Sequence, residues 1–155
     1  MTVTDLLDRA KAQGVMIATA ESCTGGMVAA ALTDIPGSSA VVERGFVTYT
    51  NTAKQEMLGV RSDTLAAHGA VSEEVAQEMA EGALGHSAAQ LAVSVTGIAG
   101  PGGSEFKPEG RVCFGLAAKG QPTQTETVEF GALGRDNVRK AARDHALQML
   151  MNGLS

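Results

Sequence analysis

The chain has 155 residues, 44% hydrophobic and 19% charged, a balance that excludes a disordered segment. Its formal net charge is −5, aromatics make up 3% and tryptophan is absent, so a nucleic-acid surface or a stacking platform for single strands is not expected. Two cysteines, Cys23 and Cys113, cannot build a disulfide framework, and reduced thiols in a cytoplasmic protein are the simpler expectation.

Val3, Leu6, Leu7 and Ala10 recur at helical spacing and predict a helix over 3–13, stopped by Gly14. Asp5, Asp8 and Arg9 among these first residues do not suit a secretory signal. Residues 15–20 read as a short buried strand, 24–33 as a helix opening at Gly25 and Gly26, and 36–38 as a turn. Phe46, Val47, Thr48 and Tyr49 favour a strand over 44–50. Short helices are expected over 52–58 and 62–67. Ser72 suits an N-cap, with Glu73 and Glu74 at the positive end of a helix whose apolar stripe is Val75, Ala76, Met79, Ala80 and Ala83. Glu73, Glu74, Glu78 and Glu81 read as its solvated face. A strand over 91–96 runs into a glycine-rich loop over 97–104. Strands over 111–118 and 125–130 follow, split by Gly120 and Pro122, and a last helix runs from about Arg135 to about Met151.

Alternating strands and helices predict one α/β layered domain over 1–155. The last two strands have no helix-length crossover, so an antiparallel element at one side of the sheet is expected. No stretch approaches the roughly 18 apolar residues of a membrane span. An apolar helix face on so small a domain is compatible with a homo-oligomer, a symmetric dimer being the commonest form.

Three segments can carry chemistry. In TAESCTGG (19–26) a buried strand ends where a helix begins, the place where ligands sit in open α/β sheets and where free N–H groups meet an oxyanion or phosphate. Ser22 stands there as a candidate nucleophile; Ser22 or Thr24 equally suits a plain N-cap. Cys23 ranks lower, since a buried free thiol is usually inert packing. In GFVTYTNTAK (45–54), Lys54 follows a strand closely. In a dry pocket it would lose its proton readily and form a Ser–Lys dyad; otherwise it is a surface lysine. Tyr49, the only tyrosine, could orient the dyad or substrate, or be an ordinary strand aromatic. VSVTGIAGPGG (93–103) offers a phosphate-binding loop at Gly97, Gly100, Gly102 and Gly103. It is neither a dinucleotide fingerprint nor a nucleoside-triphosphate loop. No metal site is expected, because His68, His86 and His145 share no ligand spacing and neither cysteine stands in a CxxC pair. His145 falls on the apolar stripe of the last helix and reads as a core or boundary residue.

Taken together, TAESCTGG, GFVTYTNTAK, HGAVSEE (68–74), SVTGIAGPGG (94–103) and KPEGRVCFGLA (107–117) resemble the CinA C-terminal domain family, including its stand-alone PncC form, over roughly residues 4–150. The resemblance implies a three-layer α/β/α sandwich with a mixed, mostly parallel sheet of about five strands. It implies a nicotinamide-nucleotide amidohydrolase: nicotinamide mononucleotide and water give nicotinate mononucleotide and ammonia, in pyridine-nucleotide salvage. It places the nucleophile on Ser22 and the base on Lys54, with Tyr49 beside them, and calls for no cofactor. The larger members carry a further N-terminal nucleotide pyrophosphatase domain that these motifs do not include.

The expected oxyanion donors are the amides over 23–26, from Cys23, Thr24, Gly25 and Gly26. The substrate phosphate is expected on the loop over 97–103, including Gly97, Ala99 and Gly100, with Thr96, Lys107 or Arg44 nearby. Glu21 and Tyr49 are candidates to face the cationic pyridinium ring. Arg111 departs from the family pattern, which favours a smaller residue, and is expected to touch only the pocket rim. The rival readings are a non-catalytic nucleotide-binding module of competence or damage response, and an amidase for another small amide.

Overall fold

The computed structural model describes residues 2–154. Helix α1 (Val3–Gln13) opens on a reciprocal cap in which the Thr2 hydroxyl accepts from the Asp5 amide while the Asp5 carboxylate accepts from the Thr2 amide. Gly14 closes it in the left-handed conformation, φ +66°, which a side chain would disfavour. Strand β1 (Ile17–Glu21), helix α2 (Met27–Thr33), a single 3₁₀ turn over Ser38–Ala40 and strand β2 (Val42–Val47) follow. Helices α3 (Asn51–Leu58), α4 (Ser62–His68) and α5 (Glu73–Gly85) lead to β3 (Leu91–Gly97). The antiparallel hairpin of β4 (Arg111–Ala118) and β5 (Gln124–Glu129) precedes α6 (Arg135–Gly153).

The sheet order is β2-β1-β3-β4-β5. Strand β1 pairs in parallel with β2 and β3, while β4 runs antiparallel to β3 and β5. Four strands therefore point one way and β4 alone opposes them, so the mixed, mostly parallel sheet read from the resemblance is present, with the expected antiparallel element at one edge.

Alternation along the strands divides the core. Ile17, Val93, Val95 and Phe114 face α1, α2 and α6, whose Leu6, Leu7, Val28, Leu32, Val138 and Leu150 complete one cluster. Ala18, Ala20 and Ala92 face the other way, onto Leu58, Val75, Met79 and Ala83 of α3 and α5. The second face is built of small residues because α5 lies very close. A Cβ on Gly115 would stand 2.6 Å from the Ala76 carbonyl oxygen, and one on Gly82 would stand 2.0 Å from that of Leu58. The helices on both faces complete a three-layer α/β/α sandwich. No helix among the described residues is long and apolar enough to cross a membrane.

Several boundaries differ from the sequence expectation. Strand β1 begins at Ile17 because Val15 still donates to Ala10 at the end of α1. Helix α2 begins at Met27, so residues 22–26 form a turn rather than its first turn of helix. Strand β2 stops at Val47. Thr48 donates its amide to the Glu21 carbonyl, and Thr50 ends the extended run by capping α3 through the Ala53 amide at 3.0 Å. The acidic face of α5 is not merely solvated. Glu73 accepts from Thr125 and Thr127, Glu78 from the Arg61 amide and Thr64, and Glu81 from Thr123, so these carboxylates tie α5 to β5 and to the α3–α4 segment. His145 packs against Phe114 with ring centroids 4.4 Å apart, as a boundary residue should.

Candidate active site

Strand β1 has a parallel neighbour on each side, and its chain continues to β2 on one flank while β3 is reached later on the other. The carboxyl ends of β1 and β3 thus flank a switch point, where open sheets leave a crevice. A cavity of about 340 Å³ lies there.

Ser22 follows the last residue of β1 and is only 8% exposed. Its amide remains on the sheet, donating to Val95 at 2.9 Å. The side chain is consequently delivered from rigid backbone. Lys54 comes from the other side. The Thr50 cap starts α3 and puts Lys54 one turn in, where it is 1% exposed. Its Nζ stands 3.1 Å from Ser22 Oγ, 3.1 Å from the Thr48 carbonyl oxygen and 3.3 Å from that of Tyr49.

Burial lowers the Lys54 pKa below the ordinary lysine value, a pull that Cys23 and Glu105 oppose. All three oxygens lie within donating distance of Nζ, and the Ser22 hydroxyl itself donates to the Tyr49 carbonyl at 3.5 Å. Cys23 also lines the cavity, but burial pushes its thiol up to about 12, which leaves it protonated and a poor nucleophile.

The turn over 22–26 is held from two directions. The buried Glu21 carboxylate faces away from the cavity: it accepts from the Thr24 hydroxyl at 2.6 Å and from the Val28 and Ala29 amides at 2.9 and 3.1 Å. It caps α2 and is not placed to meet a pyridinium ring. Arg139 of α6 donates to the carbonyls of Cys23 and Thr24. The Gly25 amide is committed to the Ser22 carbonyl at 3.0 Å, so it is no free oxyanion donor. Among the described residues, the amides of Thr24 and Gly26 meet no protein acceptor, but of the expected 23–26 donors only Cys23 lines the cavity; Thr24, Gly25 and Gly26 do not.

Thr96, Gly97, Ala99 and Gly100 line the cavity as expected, with the Thr96 hydroxyl committed to the Ala70 carbonyl at 2.8 Å. Tyr49 lines it too, yet its contact with Lys54 is through its main-chain carbonyl; its hydroxyl, on a residue more than half exposed, accepts from Arg135 at 2.9 Å. Two expected residues lie outside. Arg44 sits on the edge strand β2, paired with Glu43 at 2.7 Å and donating to the His86 carbonyl, beyond reach of the cavity. Lys107 has its ammonium committed to the carbonyls of His68 and Val71, strapping its hairpin to the α4–α5 connection. Arg111 pairs with Glu129 across the β4–β5 hairpin at 2.5 Å and does not reach the rim.

Sequence reasoning missed Asn51, Glu105 and Arg135 among the lining residues. Arg135 matters most. It is a cation on the cavity wall, held by the Tyr49 hydroxyl and by the Gly100 carbonyl at 2.7 Å. A signal was available: an arginine in the first turn of a helix opposes the helix dipole, so it needs another reason to be there.

Comparison with known proteins gives a family and a set of similar folds. A sequence model of the family described as the CinA C-terminal domain matches residues 2–154. A nicotinamide-nucleotide amidohydrolase PncC from Escherichia coli is 57% identical over 142 residues, covering 90% of this chain and 85% of that protein. A CinA-like protein from Chlorobium phaeobacteroides is 54% identical over 147 residues and 92% of this chain; the chain spans only 35% of that longer relative. Among solved structures, the competence/damage inducible protein CihA from Agrobacterium tumefaciens matches with a TM-score of 0.90 at 50% identity, covering 97% of this chain and 94% of that one. A CinA superfamily protein from Klebsiella pneumoniae matches with a TM-score of 0.93 at 38% identity, covering 98% and 94%.

Proposed function

The chain belongs to the CinA C-terminal domain family, and from that premise we propose that it is an amidohydrolase that converts nicotinamide mononucleotide and water to nicotinate mononucleotide and ammonia, in pyridine-nucleotide salvage. The observation that carries the reading is the 3.1 Å approach of a buried Lys54 Nζ to the Ser22 hydroxyl, with the same nitrogen held by the Thr48 and Tyr49 carbonyls.

Ser22 Oγ attacks the carboxamide carbon while Lys54 Nζ takes its proton. Negative charge collects on the former carbonyl oxygen, and Cys23, on the cavity wall, is the residue of this turn whose amide can receive it. One such donor is typically worth about 10²–10³ in rate. The Lys54 ammonium then returns its proton to the departing nitrogen, because ammonia leaves and an amide anion does not. Water, deprotonated by the neutral amine, cleaves the serine ester and restores Ser22. The nucleotide phosphate rests against the 97–103 loop with Arg135 as its cation.

The test is direct. Purified protein mixed with nicotinamide mononucleotide should release ammonia and nicotinate mononucleotide in equal amounts. No ammonia, with the nucleotide still bound, would favour a binding module instead. Ammonia released only from other amides in a substrate panel would shift the substrate and leave the dyad standing.

A further inference from the structure

The cavity wall carries charges of both signs. Among the described residues that line it, Lys54 and Arg135 bring basic side chains and Glu105 brings the single carboxylate. Several other polar groups there are already engaged: Thr96 with the Ala70 carbonyl, the Tyr49 hydroxyl with Arg135, and Arg135 also with the Gly100 carbonyl. The Glu105 carboxylate makes no hydrogen bond or ion pair with any described residue. Its neighbour Lys107 spends its ammonium on the His68 and Val71 carbonyls instead.

A missing side chain gives the carboxylate its place. Oε2 lies over Gly69, where a Cβ would stand 2.6 Å away, and that residue is left-handed at φ +78°. Gly69 leads directly into Ala70 and Val71 of the cavity wall. The Glu105 charge is felt at Lys54, whose pKa it raises against the pull of burial.

An unspent carboxylate repels an incoming phosphate, so it fits this cavity only if a cation enters as well. Nicotinamide mononucleotide brings one. Its ring nitrogen is permanently positive and stands meta to the carboxamide, so the charge enters wherever the scissile bond meets Ser22. A cation taken out of water needs a countercharge to receive it. Arg135 and Glu105 then match the two poles of one zwitterion.

We propose that Glu105 is a specificity-determining residue, selecting amides on a cationic ring over amides on a neutral one. This deepens the amidohydrolase reading above and rests on it. The test compares nicotinamide mononucleotide with its reduced form, whose dihydropyridine ring is uncharged while carboxamide, ribose and phosphate are the same. In Ser22→Ala protein both bind without turnover, and calorimetry should show the oxidised nucleotide held more tightly. Glu105→Gln keeps the shape and removes the charge. Added to Ser22→Ala, it should weaken the oxidised nucleotide about fivefold at low salt and the reduced one less than about twofold, the upper range for an ion pair open to solvent. The selective loss should shrink as salt is added. Equal weakening of both nucleotides, or of neither, overturns the role of Glu105.

A second readout needs no nucleotide. With Ser22 intact, labelling by an uncharged fluorophosphonate follows deprotonation of Lys54. Glu105→Gln removes a charge that raises the Lys54 pKa, so the labelling midpoint should move to lower pH. An unmoved midpoint would show that the carboxylate does not reach the cavity, and overturns the proposal. Charge-selective binding with no ammonia released by the wild-type protein overturns the amidohydrolase reading and leaves the Glu105 selectivity intact.

Discussion

The Ser22 turn over 22–26 and the glycine-rich loop with its 104–107 hairpin face each other across one cavity, but they are built differently. The turn is gripped by a buried carboxylate on one side and a guanidinium on the other, and its first residue is still bonded to the sheet. The hairpin leans on long, half-buried side chains: Lys107 reaches to two carbonyls, and Glu109 accepts from the Gly102 and Gly134 amides. Its two-residue tip puts Glu105 and Phe106 at φ +52° and +63°, a conformation that side chains resist, and Phe106 is fully exposed. The proposed reaction accounts for the difference: bond-making groups need fixed geometry, and a loop that has only to receive a substrate can be held more lightly.

Substitutions on the two sides should separate accordingly. The largest effect belongs to Ser22→Ala, which should remove ammonia release by on the order of 10³-fold or more while leaving the melting temperature near wild type. Near wild-type turnover in that variant would end the acyl-enzyme mechanism. Lys54→Met should be comparably inactive, and Lys54→Arg should not rescue it, since a guanidinium keeps its proton.

The Lys54 variant also carries a stability signature. Burial depresses the folded pKa below 10.5, so the unfolded chain binds the proton more readily. Wild-type stability therefore rises with pH between the lowered value and 10.5, and is penalised below it. Relative to wild type, Lys54→Met should look best at neutral pH and lose ground steadily as pH approaches 10.5. Denaturant melts across that range would show the trend, and a constant difference would contradict the burial of a depressed amine.

Across the cavity the effects shrink. Arg135→Gln should raise KM by about tenfold, the loss of one charged contact worth roughly 1.5 kcal/mol, with kcat far less changed. Phe106→Gly should leave turnover within twofold and raise stability by about 1 kcal/mol, since glycine adopts the left-handed tip without strain. Arg44→Ala, on the edge strand, should change neither kinetic constant. Steady-state kinetics on these three variants reads the whole gradient.

Much of this was legible in the sequence. Apolar periodicity and cap residues placed every helix and strand to within a few residues, because patterns such as Leu6, Leu7 and Ala10 record one buried face. Boundaries slipped where a residue had a second role. Thr50 looks like strand continuation but is a cap, and Gly25 and Gly26 look like a helix start but make the turn before it. Ser22 and Lys54 were readable as candidates from their places after strands, whereas their approach depends on tertiary packing that neither segment encodes. Arg44 and Lys107 were chosen for charge alone. Charge does not tell which way a long side chain turns: Arg44 spends its charge on Glu43 and the His86 carbonyl, and Lys107 on two backbone carbonyls. Arg135 and Arg139 went unread because their partners are remote in sequence, 35 and 86 residues away for Arg135 and 116 and 115 for Arg139.

The central claim is that Lys54 meets the Ser22 hydroxyl as an uncharged amine. Lysine side-chain NMR on isotopically labelled protein can titrate that one Nζ while kcat/KM is followed over the same pH range. The account predicts a Lys54 midpoint below 10.5 that coincides with the acid limb of the rate profile. An ammonium that persists to 10.5 or above, in a protein already fully active at neutral pH, would contradict it.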